Sequence, residues 1–472
     1  MRSRRPKIKS DYSRSAITKR WVFLLLPTRL SVFLFRTFID NNRERNTLEA
    51  AKFSELVVLN FGNPRFFLRR AIRFPLTLSG INLQNLTDCF QTALISCRKN
   101  PVQRKERSAL MRGFIDQTSY RDLNSIQWKL LSLTLTGTGF ISAGTSARKK
   151  CLIAAITEIR SGSRSSRASQ LALTGLIERR YFCAARSLIK RLQPFANSRH
   201  TFSIYSELID LLERSSTKPQ MSKTFYADYS STEKKFTELI SGKTVAVVGT
   251  AEITSLSGAE IDSFQTRARV KYQGRNVMPD SKFAGRECDV SFYTEDLLKK
   301  FLILSRDNPN EIEFLTELQL IVGKTKTKMA FKQIDVRNLP VYAPTFISTA
   351  TSGTLFVYDI ARLSPRNIKL FGFNFYTHRN TYNKALFDFY EESNSLRDIG
   401  LPKNWFDFKS ERKRSAIIAS GFVSHDPRSD FLFVKNLYEL SGLIDGTPEV
   451  LEILNLTADE YDMRLEEMLG DW

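Results

Sequence analysis

The chain has 472 residues, 42% of them hydrophobic and 25% charged, which describes a soluble globular protein with room for two or three cores. Its net charge of +22 suggests nucleic acid until it is divided: residues 1–230 carry 40 Lys and Arg against 15 Asp and Glu, while residues 231–472 carry 31 against 34. The basic excess (+25 against −3) belongs to the N-terminal half, and no RNA- or DNA-binding signature accompanies it, so nucleic acid ranks last among partners. The five cysteines (Cys89, Cys97, Cys151, Cys183 and Cys288) are irregularly spaced and without a CxxC pair, indicating neither a zinc site nor a disulfide framework. A reducing compartment fits them best.

Residues 1–40 form a first unit. Eight Lys and Arg against one Asp in the first 20 residues lead into WVFLLLPTRLSVFLF, an apolar stretch interrupted at Pro27 and Arg29. A bilayer span needs about 20 apolar residues, so the segment is expected not to cross. It could instead lie on an anionic membrane surface, with Trp21, Phe23, Leu24, Phe33 and Phe35 among the headgroups. A solvated basic tail leading to a core helix is the competing expectation. The expected location is cytoplasmic, with peripheral attachment to the inner face of the membrane as an option.

Residues 41–225 read as an all-helical unit, with apolar residues at helical spacing and breaks at Gly62-Asn63-Pro64, Lys99-Asn100-Pro101, Gly137/Gly139, Ser161 to Ser166 and Pro194. Within it, LALTGLIERRYFCAARSLIKRLQP, with Ala172, Leu176, Tyr181, Ala185 and Pro194, has the look of one tetratricopeptide-type hairpin without a second copy. A polar linker is expected from Ser215 to Glu233.

From residue 226 onward strands alternate with helices, which predicts a doubly wound sheet. The expected strands are Thr244–Val248, Asp289–Tyr293, Lys332–Val336, Asn367–Phe371 and Ala416–Ala419. Val245 to Val248 form an unbroken β-branched and small run suited to a central strand covered on both faces. Gly249 closes it, and Thr250, Thr254, Ser255, Ser257 and Gly258 follow, small residues whose backbone N–H groups can approach an anion near a helix start. Neither G-x-G-x-x-G nor G-x-x-x-x-G-K-[ST] is present, and no Asp-x-Asp pair supplies a divalent-metal clamp.

Two later stretches could share the site. Thr351-Ser352-Gly353-Thr354 is a hydroxyl-rich turn opening a helix, able to bond a phosphate through O–H and N–H together. His425, one of three histidines with His200 and His378, precedes Asp426-Pro427, where Asp can cap a helix and Pro can occupy its first turn. A histidine at such a strand-to-helix junction sits on the rim where α/β proteins bind ligands. His378 stands in the polar stretch YTHRNTYN, exposed or on the acceptor side.

These stretches, in order, resemble the motifs of the glycosyltransferase family 29 sialyltransferases and their bacterial relatives, over roughly Glu233 to Leu469. Ala246 to Gly249, Ile261-Asp262-Ser263 and Arg269 match the long motif. Thr250 stands where the family has a donor-binding Asn, and Lys271 where it has a second Asn. Ser352-Gly353 and Gly372-Phe373 match the short motif, and His425 with Asp430 the very short one, His-x-x-x-x-Glu. Asn404-Trp405-Phe406-Asp407 is similar to H-Y-Y-E. The cysteine pair of the animal enzymes is replaced by Val245 and approximately Pro365, as a reducing compartment permits.

The resemblance implies a Rossmann-like, mostly parallel sheet, a variant of the GT-A fold, and metal-independent inverting transfer of sialic acid from CMP-sialic acid to a glycan hydroxyl, without a cofactor. His425 and Asp430 would be catalytic. Gly249, Thr250, Ser257, Lys271, Thr351, Ser352 and Gly353 would bind the donor, and Asn404, Trp405, Asp407 and His378 would lie towards the acceptor. Another nucleotide-activated sugar, or a non-catalytic binding protein on the same fold, are the alternatives.

Overall fold

The computed structural model describes residues 104–469 apart from 122, 138–139, 164, 194–198, 214–230, 276–279, 325–330, 332–333, 340–349, 379–421 and 423–424. Residues 1–40, the strand expected at Ala416–Ala419, and Asn404, Trp405 and Asp407 lie outside the described residues.

The first described elements are helices: α1 (Arg104–Gln117), α2 (Ser125–Gly137), α3 (Ile141–Arg160), α4 (Ser166–Glu178), α5 (Phe182–Leu192) and α6 (Arg199–Leu212). The expected hairpin is α4 and α5, joined by a turn in which Arg180 takes a left-handed conformation with φ 61°. Ala172 and Ala185 are wholly buried, so their small side chains let the helices of this layer approach. Among the described residues no helix is long and apolar enough to cross a membrane.

The second part alternates as expected: α7 (Ser231–Ile240), β1 (Thr244–Val248), α8 (Gly258–Ser263), β2 (Thr266–Val270), α9 (Ser281–Ala284), β3 (Val290–Thr294), α10 (Glu295–Asp307), a 3-10 turn, β4 (Leu320–Lys324), β5 (Val336–Asn338), α11 (Ser352–Ala361), β6 (Asn367–Phe371), α12 (Pro427–Asn436), β7 (Ile444–Gly446), α13 (Pro448–Asn455) and α14 (Ala458–Leu469). The seven strands form one sheet, all neighbours parallel, in the order β5-β4-β3-β2-β1-β6-β7. The fold is α/β.

β1 is central because both its faces are apolar. Val245 and Val247 join the large core that also contains the N-terminal helices, while Ala246 and Val248 pack with Ile261 of α8 and Phe371 of β6 on the other side. Each fully buried valine contributes about 1.5–3 kcal/mol to this placement.

Three expectations need correcting. The strand expected at Lys332–Val336 begins only at Val336, and Ile334 precedes it outside the sheet. The linker expected to reach Glu233 gives way at Ser231 to α7, where Glu233 is buried as the partner of Arg337 and Arg362. That cluster explains the early start of the helix: Arg337 of β5 bonds both Glu233 of α7 and Asp359 of α11, so three elements are tied by paired buried charges. The third correction is β2 which, like β4 and β7, forms where no strand was expected. Its arginines turn into the interior: Arg267 pairs with Asp289 at 2.8 Å, and Arg269 is buried with Nε donating to Glu287 O at 2.9 Å, while among the described residues no hydrogen-bond partner reaches its Nη1 and Nη2.

Candidate active site

The strand order reverses between β1 and β6, because successive strands run outward from β1 in one direction and from β6 in the other. Open α/β sheets bind ligands at such a switch point, outside the carboxyl ends of the strands. A cavity of about 190 Å³ lies there.

Each element contributes in turn. β1 ends in Gly249, Thr250 and Ala251, β2 in Val270 and Lys271, β3 in Thr294, and β6 in Gly372 to Tyr376. The start of α11 brings Thr351, Ser352, Gly353 and Thr354, and the approach to α12 brings His425 and Asp430.

The β1 and β6 ends meet tightly. Gly249 N donates to Phe371 O at 2.7 Å, Ala251 N donates to Gly372 O at 3.1 Å, and a Cβ on Gly249 would stand 2.3 Å from Gly372 O. Gly372 itself has φ +62°, a left-handed conformation that glycine adopts without a Cβ penalty. The two glycines therefore let the two backbones lie close together where they line the cavity.

At the start of α11, Thr351 is extended (φ −64°, ψ 158°) and makes no side-chain cap. Its hydroxyl donates instead to Thr354 Oγ1 at 3.1 Å. The amides of Ser352, Gly353 and Thr354 thus lack a threonine cap where the helix dipole is positive, facing the cavity these residues line. The Thr351 amide is held from behind by Asp430, whose two oxygens both lie 3.2 Å away. Burial pushes the Asp430 carboxyl well above the usual carboxylate range, and its bonds from Thr351 and Thr354 only oppose that rise.

His425 is half-buried at the other wall and lines both this cavity and a second, small one beneath it. Asp426 caps α12 by accepting from Ser429 N at 3.1 Å, with Pro427 in the first turn. Lys271 reaches its place with φ 61°, its N–H donating to Phe292 O at 2.9 Å, so β3 fixes an unusual backbone conformation at the cavity edge.

The cavity thus gathers Gly249, Thr250, Lys271, Thr351, Ser352, Gly353, His425 and Asp430. Two expected residues stand elsewhere. Ser257 is buried before α8, its hydroxyl 2.8 Å from that of Ser255, because the loop after Ala251 turns away from the strand ends. His378 is exposed beyond the cavity lining, its Nδ1 3.0 Å from Thr377 Oγ1.

The remaining residues of the long-motif resemblance also have another place. Asp262 accepts the amides of Arg286 and Glu287 at 3.0 Å, and Arg269 bonds Glu287 O, so both converge on the turn that feeds β3. They build the sheet that presents the cavity rather than lining it.

Thr294 and the aromatic run Phe373, Phe375 and Tyr376 were not expected at the site. The sequence signal was available in FGFNFY, directly after a strand and its glycine. Tyr461 of α14 explains the placement of this run: its Oη lies 2.7 Å from Phe375 O and 3.1 Å from Pro427 O, linking the β6 loop to the start of α12.

No family model, curated protein or solved structure matches the chain. Among the described residues, no group of three His, Cys, Asp or Glu side chains is gathered for a metal ion.

Proposed function

We propose that the protein is a glycosyltransferase that transfers a sugar from a nucleoside-monophosphate donor, most simply CMP-sialic acid, to a glycan hydroxyl with inversion. The observation that carries this reading is the meeting of the Gly249 loop, the Thr351-Ser352-Gly353 helix start and His425 around one cavity at the switch point. The order of those motifs is that of the family 29 resemblance.

In the proposed step the acceptor hydroxyl oxygen attacks the anomeric carbon while its proton passes to His425. The bond from that carbon to the phosphate oxygen breaks, and CMP departs with the electron pair. An imidazole suits the proton step because its ordinary pKa lies near neutrality. Amides of Ser352 and Gly353 and the Lys271 ammonium would receive the charge that develops on the leaving phosphate.

Thr250 and Lys271 line the cavity where the family has amide side chains, so another nucleotide-activated sugar is the alternative donor. Lysine replaces an amide's paired donor and acceptor with a cation, suited to an acidic sugar or phosphate. Residues 1–40 would hold the enzyme at an anionic membrane surface. Incubating the full chain with CMP-sialic acid and other nucleotide sugars, with and without acceptor, tests the reading: acceptor-dependent CMP release supports it, and release of none of the nucleotides overturns it.

A further inference from the structure

A buried ion cluster adjoins His425, and half of it, Arg148 and Glu178, comes from the helical layer. Arg148 of α3 donates from Nη1 to Glu178 Oε2 of α4 at 2.7 Å and from Nη2 to Ser429 Oγ of α12 at 2.6 Å. The same Nη2 lies 3.3 Å from Asp426 Oδ2. Ser429 Oγ is 2.7 Å from Asp426 Oδ2 and 2.5 Å from Glu178 Oε1, its single proton serving one of them. All four side chains are nearly excluded from solvent, with 8% of Arg148 and 7% each of Glu178 and Asp426 exposed.

The cluster touches the reaction through the chain itself, because Asp426 is the residue after His425. Arg148 and His425 also line the same small cavity of about 30 Å³, together with Thr145, Asp426, Arg428 and Asp462. Two layers could adhere here more cheaply with apolar side chains, since desolvating paired charges costs several kcal/mol per ion, as an order of magnitude. What charges and forked hydrogen bonds supply instead is a fixed backbone at Asp426 and a defined electrostatic environment for its neighbour.

We propose that Arg148 is a positioning residue for His425, acting through Asp426 from the helical layer, so that α3 and α4 complete the transfer site. This rests on reading His425 as the base. The charged groups around the junction are Arg148 and Lys129 from the helices, Glu178 from α4, Asp426, Arg428 and Asp430 from the α12 start, and Asp462 from α14. Arg148 offsets part of the negative charge of Glu178 and Asp426. Its removal leaves the surroundings of His425 more negative, which favours the imidazolium and raises the pH at which His425 becomes a base.

The test uses the full chain carrying Arg148→Met or Arg148→Lys, with Arg180→Ala as control. Arg180 ties the same two layers, donating to Asn436 Oδ1 at 2.8 Å, away from His425. With only three histidines, the His425 imidazole signal is identified by its loss in His425→Gln and titrated by NMR. Arg148→Met is expected to lower kcat by about 10- to 100-fold with donor KM within about twofold, as misplacement of a reacting group does. The His425 titration is expected to move up by about half a pH unit or more. Arg148→Lys should recover part of both losses, and it carries the readings if Arg148→Met does not fold. Unchanged titration and kcat in both Arg148 variants would overturn the proposal, as would an equal loss in Arg180→Ala. If the wild type turns over no nucleotide sugar, the proposed function fails, and the titration still decides whether Arg148 governs His425.

Discussion

Asp430 holds the Thr351 amide with both carboxyl oxygens at 3.2 Å, so one buried acid of α12 fixes the first turn of α11. Burial raises this carboxyl well above its ordinary value. The folded state therefore keeps a proton that the unfolded chain releases, and the linked stabilisation is complete below the unfolded pKa of about 3.9 and is lost as pH rises through the folded value. Asp430→Asn retains an acceptor for the amide and cannot ionise. Its melting temperature minus that of the wild type is expected to grow as pH is raised from about 4 to about 8. A difference constant over that range would contradict the burial-driven shift.

Lys271 combines a cation at the cavity with a left-handed backbone. Lys271→Gly removes both. Relief of a left-handed non-glycine conformation is worth about 1–2 kcal/mol, offset in part by the greater freedom of glycine in the unfolded chain. Loss of a charge-assisted contact to a phosphate is worth about 1.5–3 kcal/mol, or about 10- to 100-fold in affinity. Calorimetry is expected to show weaker nucleotide binding in a variant that melts no earlier than the wild type.

The two cavity glycines should behave differently when each is replaced by alanine. A Cβ at Gly249 meets the Gly372 carbonyl at 2.3 Å, a backbone contact between the ends of β1 and β6 that cannot swing aside. Gly249→Ala is expected to destabilise by about 1–3 kcal/mol, as overpacking does. At Gly353 the nearest atom is Phe373 Cε1 at 3.0 Å, a side chain that can yield into the cavity. Gly353→Ala should melt within about a degree of the wild type and lose ligand affinity. Urea titration and ligand binding on the same two proteins separate these effects.

His425→Gln is expected to lower the transfer rate by about 10²- to 10⁴-fold and leave donor affinity nearly unchanged, because a general base acts on the barrier more than on ground-state binding. Single-turnover kinetics beside equilibrium binding provides the check. A variant keeping more than about a tenth of the wild-type rate would remove His425 from the proton step.

How much of this was legible follows from where the information lies. β1 and β6 were readable to the residue because VAVV and NIKLF are short runs bounded by Gly249 and Gly372. β2 was hidden by Arg267 and Arg269, charges whose partners, the Asp289 carboxylate and the Glu287 backbone carbonyl, are about 20 residues away in sequence and become neighbours only in the sheet. β4, an apolar run, and β7, only three residues long, also escaped the reading. At the site, Gly249, Ser352, Gly353 and His425 carry local signals of turn and helix start. Arg148 carries none: its link to Asp426 spans 278 residues and joins two layers, information that exists only in the packing.

The most direct measurement is the melting temperature of the full chain with CMP, UMP, GDP, NAD, or UDP plus a divalent ion, together with Ser352→Ala. Ligand at about 100 times its dissociation constant adds about 2.7 kcal/mol, enough for a shift of a few degrees. CMP without metal is expected to raise the melting temperature more than the others, and Ser352→Ala to diminish that rise. A rise with UDP and the divalent ion, and none with CMP, would contradict the proposed donor.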